Sequence, residues 1–385
     1  MAPLGPNQDS RTTTGGGELR SETAPIENHP APLTAGNMFA RLAGVGVLLL
    51  GVVGAFLYLG GWFSPHKLTP AKFVDGFQQV DGIHSGFRRN HAKGVGVRGF
   101  FDSNGNGARF SKALVFQTGR VPVIGRFSIP GGNPFAVDSP TTVHALGLQF
   151  TLPDGEEWRT AMIDLPVFPF NTPQAFYDNL TASVPDPQTH KPDPQKMAAF
   201  IASHPEFLEA IKIIKSHAPP SAFDNSPYFG LNTYLLTDAS GKITPVRWWF
   251  NASQPFVAAD MGAGNEPDKN YLFDGLIASV RQHPLQWHLM LVIGQPGDRT
   301  DDPNIMWPEG REQVDAGTLT IDTVESEETS AARDINFDPL VLPAGIGPSD
   351  DPFLSARSAI YSQSFTRRAG EKKEPSAITP AEVQK

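Results

Sequence analysis

Residues 88–100 read RRNHAKGVGVRGF, and the period of the chain changes halfway along them. The first half sets a single histidine, His91, among basic residues. The second, from Gly94, alternates small and apolar residues in the manner of a strand. Gly94 to Gly99 also satisfies G-x-G-x-x-G, but a dinucleotide fingerprint needs a strand before it, a helix after it and an acidic residue about 20 positions on. Here FFDSNGNG follows, a loop composition. The small residues are therefore read as the start of a strand passing beneath a flat ligand.

Working outward, further strands alternate with turns. Residues 113–117, a Thr118-Gly119 turn and residues 121–129 read as one hairpin. Residues 143–152, the turn Pro153-Asp154-Gly155 and residues 158–168 read as a second, with strong turn chemistry at its tip. Residues 232–237 and 243–250, joined by 238–241, make a third, and residues 285–293 and 316–324 add two more strands. Helical spacing marks 194–216 and 267–282, with a short helix in 70–86. Antiparallel hairpins with inserted helices imply an α+β protein with an antiparallel β-barrel core. The 37 glycines and 36 prolines suit turn-rich β architecture.

Four regions are expected. Residues 1–36, rich in Gly, Pro, Thr and Ser, read as a disordered tail. Residues 37–64 hold an apolar run, 42–63, with no charge; at helical rise it reaches ~33 Å, enough for a bilayer core. A single-pass transmembrane anchor follows from it. Residues 65–370 form the folded domain and 371–385 a disordered C-terminal tail. Arg11, Arg20 and Arg41 before the run nearly balance Lys67 and Lys72 after it. The short tail is placed in the cytoplasm, which makes this an inner-membrane protein with a periplasmic domain.

The net charge of -9 argues against nucleic acid as a partner. The absence of cysteine excludes disulfides, zinc–thiolate sites, iron–sulfur clusters and thiol nucleophiles. The 10 histidines include no H-E-x-x-H, and no G-x-S-x-G elbow is present. What raises His91 above a structural histidine is a second cluster, Arg357-x-x-x-Tyr361, followed by Arg368. On a helix, residues four apart share a face. A guanidinium beside a phenol favours the phenolate, and a phenolate is an axial ligand for haem iron.

With both clusters in view, the chain resembles the haem catalase superfamily from about Phe73 to Arg368, and is most similar to its short, membrane-anchored peroxidases. The motif R-x-x-H-A-K-G stands as Arg88, His91, Ala92, Lys93 and Gly94, and R-F-S as Arg126, Phe127 and Ser128. Trp158, and Leu165-Pro166-Val167-Phe168 after it, echo the stretch that follows. F-D-P and P-x-G-I stand as Phe337-Asp338-Pro339 and Pro343-Ala344-Gly345-Ile346, and R-x-x-x-Y as Arg357 and Tyr361. The resemblance implies His91 as distal acid–base group, Ser128 as its orienting partner and Tyr361 as iron ligand with Arg357 beside it. It further implies Arg88, Arg126 and Arg368 as partners of the carboxylates of haem b (iron protoporphyrin IX), and Phe176 against the porphyrin face.

Two departures qualify it. The distal asparagine of G-N-N-T-P aligns with Ile163, with Asp164 and Asn90 as nearby polar side chains able to stand in. The sequence also stops soon after Arg368, without the helical C-terminal domain of long catalases. Both favour peroxidase over catalase chemistry, with peroxide and a small organic reductant as partners; a homodimer is left open. The alternatives are a non-catalytic haem-binding or sensing protein, and a haem enzyme rearranging fatty acid hydroperoxides.

Overall fold

The computed structural model describes residues 34–60, 67–260 and 269–384, and the chain divides into two units, residues 1–65 and 66–385. In the first unit, α1 (Ala35–Leu59) is long and apolar enough to cross a membrane by length and composition, and its most apolar 18-residue stretch has a mean hydropathy of 2.4. It begins seven residues before the apolar run at Leu42. Residues 61–63 of that run, and residues 1–33 of the expected N-terminal tail, lie outside the described residues.

The second unit is built on a closed, wholly antiparallel barrel of eight strands. Going round it, β1 (Gly94–Ser103) pairs with β2 (Gly119–Ser128), then β3 (Ala145–Thr151), β4 (Glu157–Ile163), β5 (Tyr228–Phe229), β7 (Ile243–Ala252), β8 (Leu285–Ile293) and β9 (Gln313–Glu325), which returns to β1. The strands β6 (Tyr234–Thr237) and β10 (Ile346–Pro348) extend the sheet outward from β7. Burial alternates with period two, as a pleat requires. On β4 the residues Trp158, Thr160 and Met162 are buried, and on β8 Leu285, Trp287, Leu289 and Leu291. Aromatic rings fill the interior: Trp158 stacks on Phe150 at 4.6 Å and meets Trp248 edge-on at 5.1 Å.

The second and third expected hairpins are present, the second turning at Gly155 with φ 88°. The first is not. Residues 113–117 place Leu114–Phe116 in a 3-10 turn whose Val115 and Phe116 are buried in the core, so their apolarity serves packing and not pairing. The partner of β2 is β1, in the register Gly94↔Ser128 and Gly96↔Arg126. Phe100 to Ser103, read as loop, continue β1.

The glycines of β1 also have a different purpose from the one expected. A Cβ on Gly94 would lie 2.4 Å from the Arg126 guanidinium, on Gly96 2.0 Å from Ser330 Oγ, and on Gly99 1.9 Å from Thr320 O. They admit protein groups that cross the strand, not a ligand.

Helices clothe one side of the barrel. Thr69 caps α2 (Pro70–Asp81) by accepting from Lys72 N at 3.2 Å, and Gly82, with φ 83°, follows its last residue. The apolar side chains of α2 pack on α3 (Pro173–Ala182) and α7 (Pro352–Ala369) through Phe73, Phe77, Leu180 and Ile360. The helical run 194–216 is two helices, α4 (Pro194–Ser203) and α5 (Pro205–Lys215), because Pro205 cannot donate to the turn before it. Of the expected helix 267–282, residues 267 and 268 lie outside the described residues and the rest carries α6 (Tyr271–Gln282).

Residues 371–384, expected to be disordered, are tied to the domain. Glu371 binds Gly86 N at 2.8 Å and pairs with Arg89, Ser326 Oγ donates to Ile378 O at 2.7 Å, and Ile378 is fully buried ahead of α8 (Pro380–Gln384). Composition misses this because one isoleucine and a few ionic contacts replace an apolar run. Truncation after Gly370 is expected to lower the midpoint of chemical unfolding by at least ~2 kcal/mol equivalent, from the lost isoleucine and Glu371 contacts. An unchanged midpoint would return the segment to the disordered class.

Candidate functional site

All eight residues singled out by motif line one cavity of about 400 Å³: Arg88, His91, Arg126, Ser128, Phe176, Arg357, Tyr361 and Arg368. It lies where β3 and β4 meet the helices, with Ala161 and Ile163 of β4 in its wall. The same lining holds five arginines and no carboxylate. Much of the remainder is apolar, including Val143, Leu165, Phe168 and Leu231.

His91 stands three residues before β1, in the left-handed region at φ 57°, which histidine tolerates better than most residues. The β1–β2 register brings the end of β2 alongside, so that Ser128 Oγ lies 3.3 Å from His91 Nδ1. Burial, then the charges of Arg126, Arg357 and Arg88, push the imidazole down to about 3. It is therefore neutral at physiological pH, with one ring nitrogen engaged by the serine.

Tyr361 and Arg357 are four apart on α7 and share a face. Arg357 Nη2 donates to Tyr361 Oη at 3.3 Å and to Ala161 O at 2.9 Å, while Nη1 donates to Asn232 Oδ1. Asn232 Nδ2 in turn donates to Asp351 Oδ2 at 2.7 Å, and Asp351 Oδ1 caps α7 by accepting from Phe353 N at 2.8 Å. One chain of bonds thus runs from the helix cap to the phenol. Burial works against the Arg357 charge, but the Tyr361 and Tyr234 phenols and Asp351 outweigh it and hold the guanidinium above its ordinary value.

Arg88, Arg126 and Arg368 gather at another part of the wall. Arg126 makes a bidentate pair with buried Glu327, at 2.6 and 3.0 Å, and Arg88 reaches the same carboxylate at 3.2 Å. Arg368 Nη1 donates to Arg333 O at 2.6 Å, and Asp334, largely exposed, is 3.9 Å away. Burial, with the neighbouring arginines, lowers Arg88 well below the usual range and brings Arg368 to about 10. Three guanidiniums against one buried carboxylate leave room for about two more negative charges. Glu327 has no motif spacing in the sequence, and neither does Asn232; both emerge only from the fold.

Phe176 lies in an aromatic wall, stacked on Phe170 at 4.9 Å and edge-on to Phe73 at 5.2 Å. Lys93 of the same motif as His91 is structural: buried, it donates to Asp138 Oδ1 at 2.6 Å and to two carbonyls. Among the described residues no group of three or more His, Cys, Asp or Glu side chains could hold a bare metal ion. A flat, largely apolar group with two carboxylates and a metal that takes a phenol oxygen suits this donor set, which is what an iron porphyrin offers.

A β-barrel of this topology with helices over such a cavity defines a class, and similarity to known proteins narrows it. Residues 64–379 match the family model described as Catalase, and the chain belongs to the catalase family. It is 36% identical, over 80% of its length and 90% of the relative, to a catalase-related peroxidase of Synechococcus elongatus. A catalase-related peroxidase of Mycolicibacterium paratuberculosis is 31% identical over 79% of this chain and 96% of its own. The fold matches catalase A from Saccharomyces cerevisiae with a TM-score of 0.67 at 17% identity, over 74% of this chain and 62% of that one.

Replacing Glu327 by Gln leaves buried guanidiniums facing each other. The ligand-free protein is expected to lose about 3 kcal/mol or more of stability in a denaturant titration. A loss below about 1 kcal/mol would show that the cluster does not depend on this carboxylate.

Proposed function

We propose that the chain is a haem peroxidase that reduces hydrogen peroxide or an organic hydroperoxide at the expense of a small organic donor, with little catalase turnover. The observation that carries this reading is the meeting of His91 with Ser128, and of Tyr361 with Arg357, in one cavity that also holds an excess of buried guanidinium. Haem b is the proposed cofactor. Arg88, Arg126 and Arg368 would bind its carboxylates, Phe176 would pack on its face and Tyr361 would ligate its iron. When bound, it supplies the metal that takes up peroxide and accepts its two oxidising equivalents.

The protein's own part is proton movement and orientation. Neutral His91 would accept a proton from one peroxide oxygen and return it to the other, which would leave as water or an alcohol. Ser128 keeps the ring in the plane this requires. Arg357, fixed by Asn232 and Ala161, donates to the Tyr361 oxygen that would take the metal. Apolar walls exclude bulk water. Ile163 in place of an amide takes the donor away from the β4 position where the family motif puts it, which would favour turnover by an organic donor over oxidation of a second peroxide. We further propose that α1 anchors the protein in the inner membrane with the domain in the periplasm.

His91→Ala is expected to keep haem while slowing the reaction of the ferric protein with peroxide by about 100-fold or more, the scale of general acid–base catalysis; rapid-mixing spectra at the wild-type rate would remove His91 from this role. The pH profile supplies a second check. Two bound carboxylates would offset Arg88 and Arg126, but burial, the largest cause, persists, so the rate should stay level from about pH 8 down to about pH 5. A fall centred near pH 6.5, as for a solvated imidazole, would contradict the geometry. The same depression acts on stability: below pH 6.5 the unfolded chain takes up a proton that folded His91 refuses, so this contribution is lost as the pH falls toward 3.

A further inference from the structure

Ile163 leaves the wall of the cavity without the amide donor that the family motif would place there, and two polar side chains lie close in sequence to the groups concerned. Asp164 is withdrawn from the cavity. It is buried beside His144, with Oδ2 3.5 Å from His144 Nδ1, its own N donates to His144 O at 3.0 Å, and it is absent from the lining. Asn90 is in the lining, directly before His91.

The orientation of the Asn90 amide is settled by its partners. Its Oδ1 accepts from two backbone donors, His91 N at 3.0 Å and Gly131 N at 2.8 Å. Two N–H groups can be met only by the amide oxygen, so the NH2 end is assigned by chemistry and not by convention. The two bonds also pin the left-handed backbone of His91, helped by Ala92 N donating to Gly131 O at 2.9 Å. Among the described residues Nδ2 makes no hydrogen bond, and Asn90 belongs to the cavity lining immediately before His91. Two other polar side chains of the lining are committed: Ser128 Oγ to His91, and Asn232 to Arg357 and Asp351.

We propose that Asn90 donates a hydrogen bond from Nδ2 to peroxide bound beside His91, replacing the donor absent at Ile163. One side chain then does two things: Oδ1 fixes the base and Nδ2 holds the substrate against it. The inference rests on the peroxidase reading for the identity of the ligand, but the donor itself can be tested with any small anion that binds ferric haem.

Asn90→Asp keeps an oxygen for both backbone donors and removes the NH2. The holoprotein is expected to fold and retain haem as wild type does. It should react with hydrogen peroxide roughly tenfold or more slowly and bind fluoride roughly tenfold or more weakly, with a shifted charge-transfer band. Adding Ile163→Asn in the Asn90→Asp background restores an amide donor at the end of β4 and should recover most of both losses. Wild-type peroxide rate and fluoride affinity in Asn90→Asp would overturn the proposal, as would losses that Ile163→Asn leaves untouched. A wild type inert to peroxide, paired with weakened fluoride binding in Asn90→Asp, would sink the peroxidase reading and leave the donor standing.

Discussion

Three guanidiniums, Arg88, Arg126 and Arg368, are taken out of water around one buried carboxylate, Glu327, and the rest of the domain accommodates that fact. An unpaired buried ion costs several kcal/mol, so each guanidinium must find oxygen. Gly94 has no side chain because Arg126 lies where one would project, and the C-terminal segment of residues 371–378 folds back over the same region. Even so the positive charge is not balanced from within. Such an excess of buried positive charge beside apolar walls would suit an anion that is itself largely apolar.

The reactive groups reach this cavity by separate routes. The β1–β2 register, set by alternate burial on a closed barrel, brings Ser128 to His91. The cap of α7 at Asp351, continued through Asn232 and Arg357, fixes Tyr361. Rigid elements hold both, so small displacements in either are resisted by packing across the barrel. Neutral imidazole and guanidinium-supported phenol are opposite answers to burial. Burial and the surrounding arginines strip His91 of its proton; at Arg357 the neighbouring phenols and Asp351 outweigh burial and hold the charge.

Most of the barrel was legible in the sequence because its strongest turn, Pro153-Asp154-Gly155, and its period-two runs on β4, β7 and β8 are local features. The partner of β2 was not, since an apolar run such as 113–117 looks alike whether it pairs or plugs a core. The site was legible where motifs carry it: His91, Ser128, Arg357 and Tyr361 all line the cavity. Glu327, Asn232 and the orientation of Asn90 were not, because each matters through a partner 30 or more residues away and none carries a spacing of its own. The buried tail shows the same limit, with a single isoleucine and a salt bridge doing what composition attributes to longer apolar runs.

The central claim is that this cavity holds an iron porphyrin through the oxygen of Tyr361, and the absorption and electron paramagnetic resonance spectra of the purified full chain test it most directly. The account predicts a coloured protein with a high-spin ferric tyrosinate signature that Tyr361→Phe abolishes or converts to another ligation. A colourless protein that refuses added hemin, or a spectrum indifferent to Tyr361→Phe, would contradict it.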